Sequence, residues 1–156
     1  MRREGTVSFK FNIEGLRKQV TAKIRKQTAD KVWAAMKIAT KVALNATPVW
    51  TGETRANYRW SVGRKGSDYT PHNVGLNWRA PIFPVSPGNA DSKTLSALEA
   101  MKATVYLNPF QKFVLYNNTI YENGMTIRDL EYGQLTGTPH MMLSKARQAL
   151  QARLGI

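Results

Sequence analysis

Residues able to do proton chemistry are few and not arranged for it. His72 lies in a proline-broken stretch and His140 at a helix start, and no GxSxG, HExxH or phosphate-cradling glycine loop accompanies them. General acid–base work of a small, basic, ribonuclease-like hydrolase, using His72, His140 and a Lys or Arg, is chemically conceivable, but no spacing points to it. Asp129 and Glu131 stand two apart on what reads as an extended segment. They would share a face and could hold a proton or a cation between them, with no third ligand nearby. The chain has no Cys, hence no thiolate nucleophile and no disulfide framework, and a structural zinc would rely on two histidines and carboxylates. The expectation is a protein that is not an enzyme and carries no cofactor or metal.

What the sequence does supply is positive charge. Lys and Arg number 23 against 10 Asp and Glu, a formal net charge of +13 over 156 residues. Residues 1–65 hold 15 of the basic and 4 of the acidic side chains, so nearly all the imbalance lies in the first half. Such a charge favours anionic partners (nucleic acid, an acidic protein or a membrane surface) without naming a fold. Arg17, Lys18, Lys23, Arg25, Lys26, Lys31, Lys37 and Lys41 follow one another along a single helical segment. They spread over a wide sector rather than a seam, which suits a solvated outer face, an acidic protein partner, or phosphates held without sequence readout. Aromatics accompany charge in Tyr58-Arg59-Trp60 and Asn77-Trp78-Arg79, where stacking on single-stranded bases is the functional alternative. Period-two alternation makes Tyr58 and Trp60 core residues instead, and Trp33 and Trp50 read as packing or interface anchors.

The elements that must position these residues follow from periodicity. At 42% hydrophobic and 10% aromatic, the chain is one folded domain, residues 1–156. Val7, Phe9, Phe11 and Ile13 alternate with polar residues and predict a strand over 6–13. From Glu14 to Ala46 apolar residues recur at three- and four-residue steps, from Leu16, Val20 and Ile24 through Met36 and Ala43, predicting one helix too long for a domain of this size to cover, so that one end projects or meets a neighbour. Pro48 stops it and pushes Thr47 to an extended conformation. Asn57–Val62 predicts a second strand, and 63–91, dense in Pro and Gly, a long loop. Asp91 or Ser92 would cap a helix of about three turns with Leu95, Leu98 and Met101 inward. Thr104–Leu107 and Phe113–Tyr116 read as neighbouring strands joined by a turn. Thr138-Pro139 would open a terminal helix with an inward stripe of Met142, Leu143, Ala146, Ala149, Leu150 and Leu154. No apolar run reaches the roughly 18 residues that span a bilayer, and no signal peptide is evident, so folding in a cytoplasm is expected.

Three segments taken together resemble the tail-completion (neck, or minor tail component) family of tailed bacteriophages. The first is Phe9–Leu16, a strand running into a Gly-Leu helix start before a long charged helix. The second is Thr47-Pro-Val-Trp50-Thr51-Gly52-Glu-Thr54-Arg55-Ala-Asn57, similar to the family's Pro-Val-Asp-Thr-Gly-x-Leu-Arg-x-Ser stretch. The third comprises Leu115-Tyr-Asn117-Asn118-Thr-Ile-Tyr121, then Leu130-Glu131-Tyr132-Gly133, then Pro139-His-Met141-Met142, similar to Asn-Asn-x-x-Tyr-Ala, Glu-Tyr-Gly and Pro-x-Gly-Met pieces. Order and spacing agree across most of the chain. Trp50 replaces the usual Asp, Thr54 the usual Leu, and the last piece lacks its Gly before Met.

The resemblance implies an α+β fold: a small antiparallel β-sheet packed against one long N-terminal helix, a short middle helix and a C-terminal helix. It implies a structural virion protein, made in the host cytoplasm and placed in the neck. A homo-oligomeric ring, hexameric or else dodecameric, would join head-closure or adaptor proteins to tail-tube or tail-terminator proteins, with genomic DNA passing its channel and no membrane involved. Thr51 and Gly52 would make the sharp helix exit, and Asn117 and Asn118 would bond their own backbone in a turn. Glu131 and Tyr132, at a strand end, would pair with Arg55 or another base and pack under the terminal helix, or Glu131 would reach a neighbouring subunit. The basic helix, Trp50, Trp78 and Arg79 are the interface or DNA-facing candidates. A stand-alone basic nucleic-acid-binding domain is the alternative reading.

Overall fold

A computed structural model describes residues 12–48, 52–69, 87–121 and 124–156. The strand expected over 6–13 lies outside these residues apart from its end. There Asn12 caps the first helix, α1 (Ile13–Ala46), its Oδ1 accepting from the Gly15 N–H at 2.8 Å. A Cβ on Gly15 would meet the Asn12 side chain at 2.8 Å, so the glycine of the Gly-Leu start is what leaves the cap its room. The 34 residues of α1 run about 51 Å, unbroken as the periodicity predicts. At its far end Thr47 is extended (φ −84°, ψ 124°) before Pro48.

The chain then makes a single turn, α2 (Glu53–Ala56), and the strand β1 (Tyr58–Val62). Two consecutive helices follow, α3 (Pro87–Ala100) and α4 (Lys102–Leu107), then the strand β2 (Phe113–Asn117). The short α5 (Ile127–Glu131) and the terminal α6 (Met142–Leu154) complete the order. The fold is α+β, with a two-stranded antiparallel sheet in which Tyr58 faces Asn117, Trp60 faces Leu115 and Val62 faces Phe113.

One cluster forms the main core. The second half of α1 gives Trp33, Met36, Ala39, Ala43 and Leu44, which meet Tyr58 and Trp60 of β1, Leu98 of α3, Val105 of α4 and Ala146 of α6. Alanines on α1 and Ala146 let those two helices approach closely. Two aromatic handles are satisfied inside it: the Trp60 indole N–H donates to Thr40 Oγ1 at 2.9 Å, and the Tyr58 hydroxyl shares a 2.7 Å bond with Thr47 Oγ1. Ile127, Leu130 and Met142 form a smaller cluster under α5 and α6.

Three expected elements differ from the structure. Thr104–Leu107 is helical, not a strand, and the partner of β2 is β1. Thr94, Leu98, Met101 and Val105 recur at helical steps, so the short apolar run continues the inward face of the preceding helix, while Leu107 is exposed. The middle helix begins at Pro87 rather than at a cap on Asp91 or Ser92; Leu98 is buried and Leu95 exposed. The long loop therefore ends before 87, and its residues 70–86 lie outside the described part. Residues 63–69 are tied down: the Gly63 N–H donates to Lys112 O, and Asn118 Nδ2 donates to the carbonyls of Gly66 and Asp68. The terminal helix starts at Met142 rather than at Thr138-Pro139, with the inward stripe as expected.

Candidate functional site

Two places concentrate the residues singled out by type and spacing. The first is a polar junction where chain segments far apart in sequence meet. Its centre is Arg55, on α2 and 7% exposed. Its Nε and Nη2 donate to the two carboxylate oxygens of Asp91 at 2.7 and 2.6 Å, a bidentate pair between α2 and α3. Its Nη1 donates to the carbonyls of Leu44, which also accepts the Thr47 N–H, and of Thr47, placing a cation at the negative end of α1. Thr94 Oγ1 donates to the Arg55 carbonyl at 2.6 Å and accepts from the Tyr58 N–H, stitching α3 to the start of β1.

From the other side, Asn117 Nδ2 donates to the Thr54 carbonyl at 2.8 Å, while its Oδ1 accepts from both the N–H and the hydroxyl of Thr119. This is the local turn bond expected of Asn117; Asn118 instead reaches across to 66–68. The Tyr121 hydroxyl is hydrogen-bonded to Thr54 Oγ1. Burial pushes the Tyr121 phenol up to about 12, with Glu53 adding to the rise and the Thr54 bond opposing it; burial raises the Tyr58 phenol as well.

Glu131 occupies a place the sequence reading missed. It does not pair with Arg55 and does not sit at a strand end; it closes α5, 4% exposed. Its carboxylate accepts from the N–H groups of Leu143 and Ser144 at 2.9 and 2.8 Å and from Ser144 Oγ at 2.6 Å. A carboxylate from twelve residues upstream thus takes the capping role expected of Thr138, where the helix dipole favours an anion. Both oxygens are engaged inside the subunit, which gives Glu131 a fold-holding role. Asp129 is not its partner in a proton-sharing pair; it forms a capping box with Thr126. Tyr132 is 55% exposed beside Arg128 rather than packed under α6. Gly133, at φ 83°, lies against Pro139, and a Cβ there would meet the proline nitrogen at 2.7 Å. His140 bonds Thr136 through Nε2. Thr51, Trp50, His72, Trp78 and Arg79 lie outside the described residues.

The second place is the first half of α1. No side chain from Ile13 to Gln27 is buried, and the first buried residue of the helix is Ala29. Arg17, Lys18, Lys23, Arg25, Lys26, Lys31, Lys37 and Lys41 are all exposed, so the helix keeps them in solvent as expected. Lys18 and Lys26 lie 4.0 and 3.7 Å from Glu14 and Asp30 along the helix, exposed pairs of small energetic weight. Lys37 and, from α4, Lys102 stand over the Trp33 ring at 5.8 and 6.0 Å, which accounts for them as cation–π neighbours of the core edge. Arg17, Lys23 and Lys31 border an apolar ridge of Ile13, Leu16, Val20 and Ile24, between 48 and 74% exposed.

Among the described residues no group of three or more His, Cys, Asp or Glu is placed to hold a metal, and no helix is long and apolar enough to cross a membrane. Chemically, the junction can hold backbone together and the arm can offer charge and apolar surface. No family model, curated protein or solved structure matches this chain.

Proposed function

We propose that the chain is a structural component of the head–tail junction of a tailed bacteriophage, a tail-completion or neck protein that assembles into a ring and joins head-closure to tail-tube proteins without making or breaking a bond. The support is the meaning the backbone gives to the resembling motifs. Besides the Gly-Leu start, where Gly15 is helical, the pattern has glycine at three further places. Gly52 and Gly133 occupy the left-handed region, at φ 79° and 83°, and Met141, the residue before Met142 where the pattern has its third glycine, is also left-handed at φ 51°. It is the single described non-glycine residue with positive φ. Left-handed backbone at Met141 is the conformation that a glycine at that motif position would adopt without strain, which supports the reading. The motif residues Arg55, Asn117, Tyr121 and Glu131 are likewise those that tie α1, α2, α3, β2 and α6 together.

In a closed ring each subunit offers one surface to the next, and an exposed helix some 20 Å long beyond the core is a natural element of such heterologous contacts. The assembly reading predicts ring-sized particles in sedimentation with or without DNA, and the polypeptide's presence in finished virions at the neck. A chain that stays monomeric at every concentration and is missing from particles sinks it. The exposed basic helix also favours a second reading, a stand-alone nucleic-acid-binding domain. That reading predicts a monomer or dimer whose DNA affinity falls steeply between low and high salt.

A further inference from the structure

The apolar residues of α1 do not form one stripe. At 100° per residue, Ile13, Leu16, Val20 and Ile24 fall within about 80° of one another, while the buried Trp33, Met36, Thr40 and Leu44 centre about 160° away. The helix therefore has two inward-type faces on nearly opposite sides. One meets the body of its own subunit; the other, about 16 Å long, meets nothing among the described residues and cannot be reached by a simple continuation of the core.

We propose that the first half of α1 is a docking arm for a different protein, whose surface carries a narrow apolar groove or helix seam edged by carboxylates. The width of the ridge supports a groove: about one aliphatic residue per turn, at steps of three and four over about 80°, matches the seam of a helix pair rather than the broad apolar face, with aromatics, that lies in a membrane surface. The flanks set the sign. Arg17 and Lys23 border the ridge on its two sides and Lys31 stands in line beyond Ile24, so the partner's rim must be acidic. A second copy is the poorer fit: the carboxylates of its own arm, Glu14 and Asp30, already lie beside Lys18 and Lys26, and those of Asp91, Asp129 and Glu131 hold the fold. Pairing two arms would bring Arg17 and Lys23 against their equivalents. Nucleic acid would use the charge and leave the aliphatic ridge unexplained.

This deepens the assembly reading by giving one partner its chemistry, but the test reads the arm alone and stands whether or not rings form. The chain lacks Cys, so Val20→Cys and Ala22→Cys each introduce a unique thiol, the first on the ridge and the second on the opposite side of the helix. The probe is a four-heptad peptide with Leu at its seam positions and Glu at the flanking ones. Saturating peptide should slow alkylation of Val20→Cys by about tenfold or more and leave Ala22→Cys within about twofold. Leu16→Ser in the Val20→Cys background should abolish most of the protection while helical circular dichroism is unchanged. A peptide with Ser at the seam and the same Glu residues should not protect. Equal protection by both peptides, protection of Ala22→Cys as strong as of Val20→Cys, or no protection by the Leu/Glu peptide overturns the proposal. So does ridge protection by duplex DNA, by anionic phosphatidylserine vesicles or by raised concentration of the chain itself that exceeds protection by the peptide. Rings without peptide protection would remove the arm's role and keep the assembly reading; protection without rings would do the reverse.

Discussion

The two halves of α1 share residue types, helix propensity and a three-to-four apolar period, yet they end in different surroundings. From Ala29 onward the helix is held by β1, α3, α4 and α6, and its closing carbonyls are taken by Arg55. Before Ala29 none of its side chains is buried, with Ile13 74% and Leu16 61% exposed. Periodicity establishes that a helix forms and which of its residues want burial; it says nothing about who buries them. Folding energy and assembly chemistry are thereby separated along one continuous element, and substitutions in the two halves should behave as if they belonged to different proteins.

The sharpest contrast comes from the charges. Arg55→Ala leaves Asp91 unpaired and takes a donor from the Leu44 and Thr47 carbonyls, and should lower unfolding stability by about 3 kcal/mol or more, measured by urea denaturation. Lys23→Ala, on the arm, should stay within about 0.5 kcal/mol. A destabilisation by Lys23→Ala comparable with that of Arg55→Ala would mean that the arm is part of the folding unit after all. Among apolar residues, Met36→Ala should cost about 2–4 kcal/mol because Met36 is 1% exposed in the main cluster, whereas Val20→Ala should be near neutral.

How much of this was legible beforehand depended on where the deciding partner lay. The long helix, its stop at Pro48, β1 and the terminal stripe rest on local period and proline chemistry, and local signals suffice for them. Thr104–Leu107 failed because four apolar residues carry either period; the tie is broken by Leu98 and Met101 upstream, on the same helical face as Val105. At the junction Arg55 and Glu131 were visible as residues of interest, but their partners were not. Asp91 lies 36 positions from Arg55, beyond β1 and a stretch dense in Pro and Gly, and reads as a helix cap in its own right. Glu131 was missed as a cap because capping signals are sought next to the helix they serve, and this one arrives from the preceding element. The exposed ridge was readable only in part: an over-long helix announces a projecting end, while the rotation between its two apolar faces becomes meaningful once one face is known to be filled.

The junction also makes the fold sensitive to alkali in a way the arm is not. Tyr121 and Tyr58 are buried as neutral phenols, and both titrate higher in the folded chain than the ordinary value of 10. The unfolded chain therefore loses these protons first. Their contribution is complete below pH 10 and is lost as the pH climbs from there through about 12. Tyr121→Phe, which cannot ionise, should flatten the fall of stability over that window by about 1–2 kcal/mol while costing about 1 kcal/mol at neutral pH for the lost Thr54 bond. An alkaline profile unchanged by the substitution would show that Tyr121 ionises as freely in the folded chain as in the unfolded one.

The smallest effect tests the link between motif and backbone. Met141 stands at φ 51°, ψ 35°, immediately before the first residue of α6, and the carbonyl of Glu131 accepts from both the His140 and Met141 N–H groups there. The tight return of the chain toward Glu131 requires the left-handed turn, because the same residue that receives these two bonds also caps the helix with its carboxylate. A side chain in this region carries a steric cost of about 1 kcal/mol that glycine does not have, partly offset by the greater freedom of glycine in the unfolded chain. Met141→Gly should therefore be neutral to stabilising by up to about 1 kcal/mol, although it removes a large apolar side chain. Met141→Ala isolates the side chain: it keeps the strain, so it should be no more stable than the parent. If Met141→Gly instead destabilises by as much as Met142→Ala, whose side chain is fully buried, then packing rather than backbone angle governs the position, and the match between the glycine of the resembling pattern and the left-handed turn loses its physical basis.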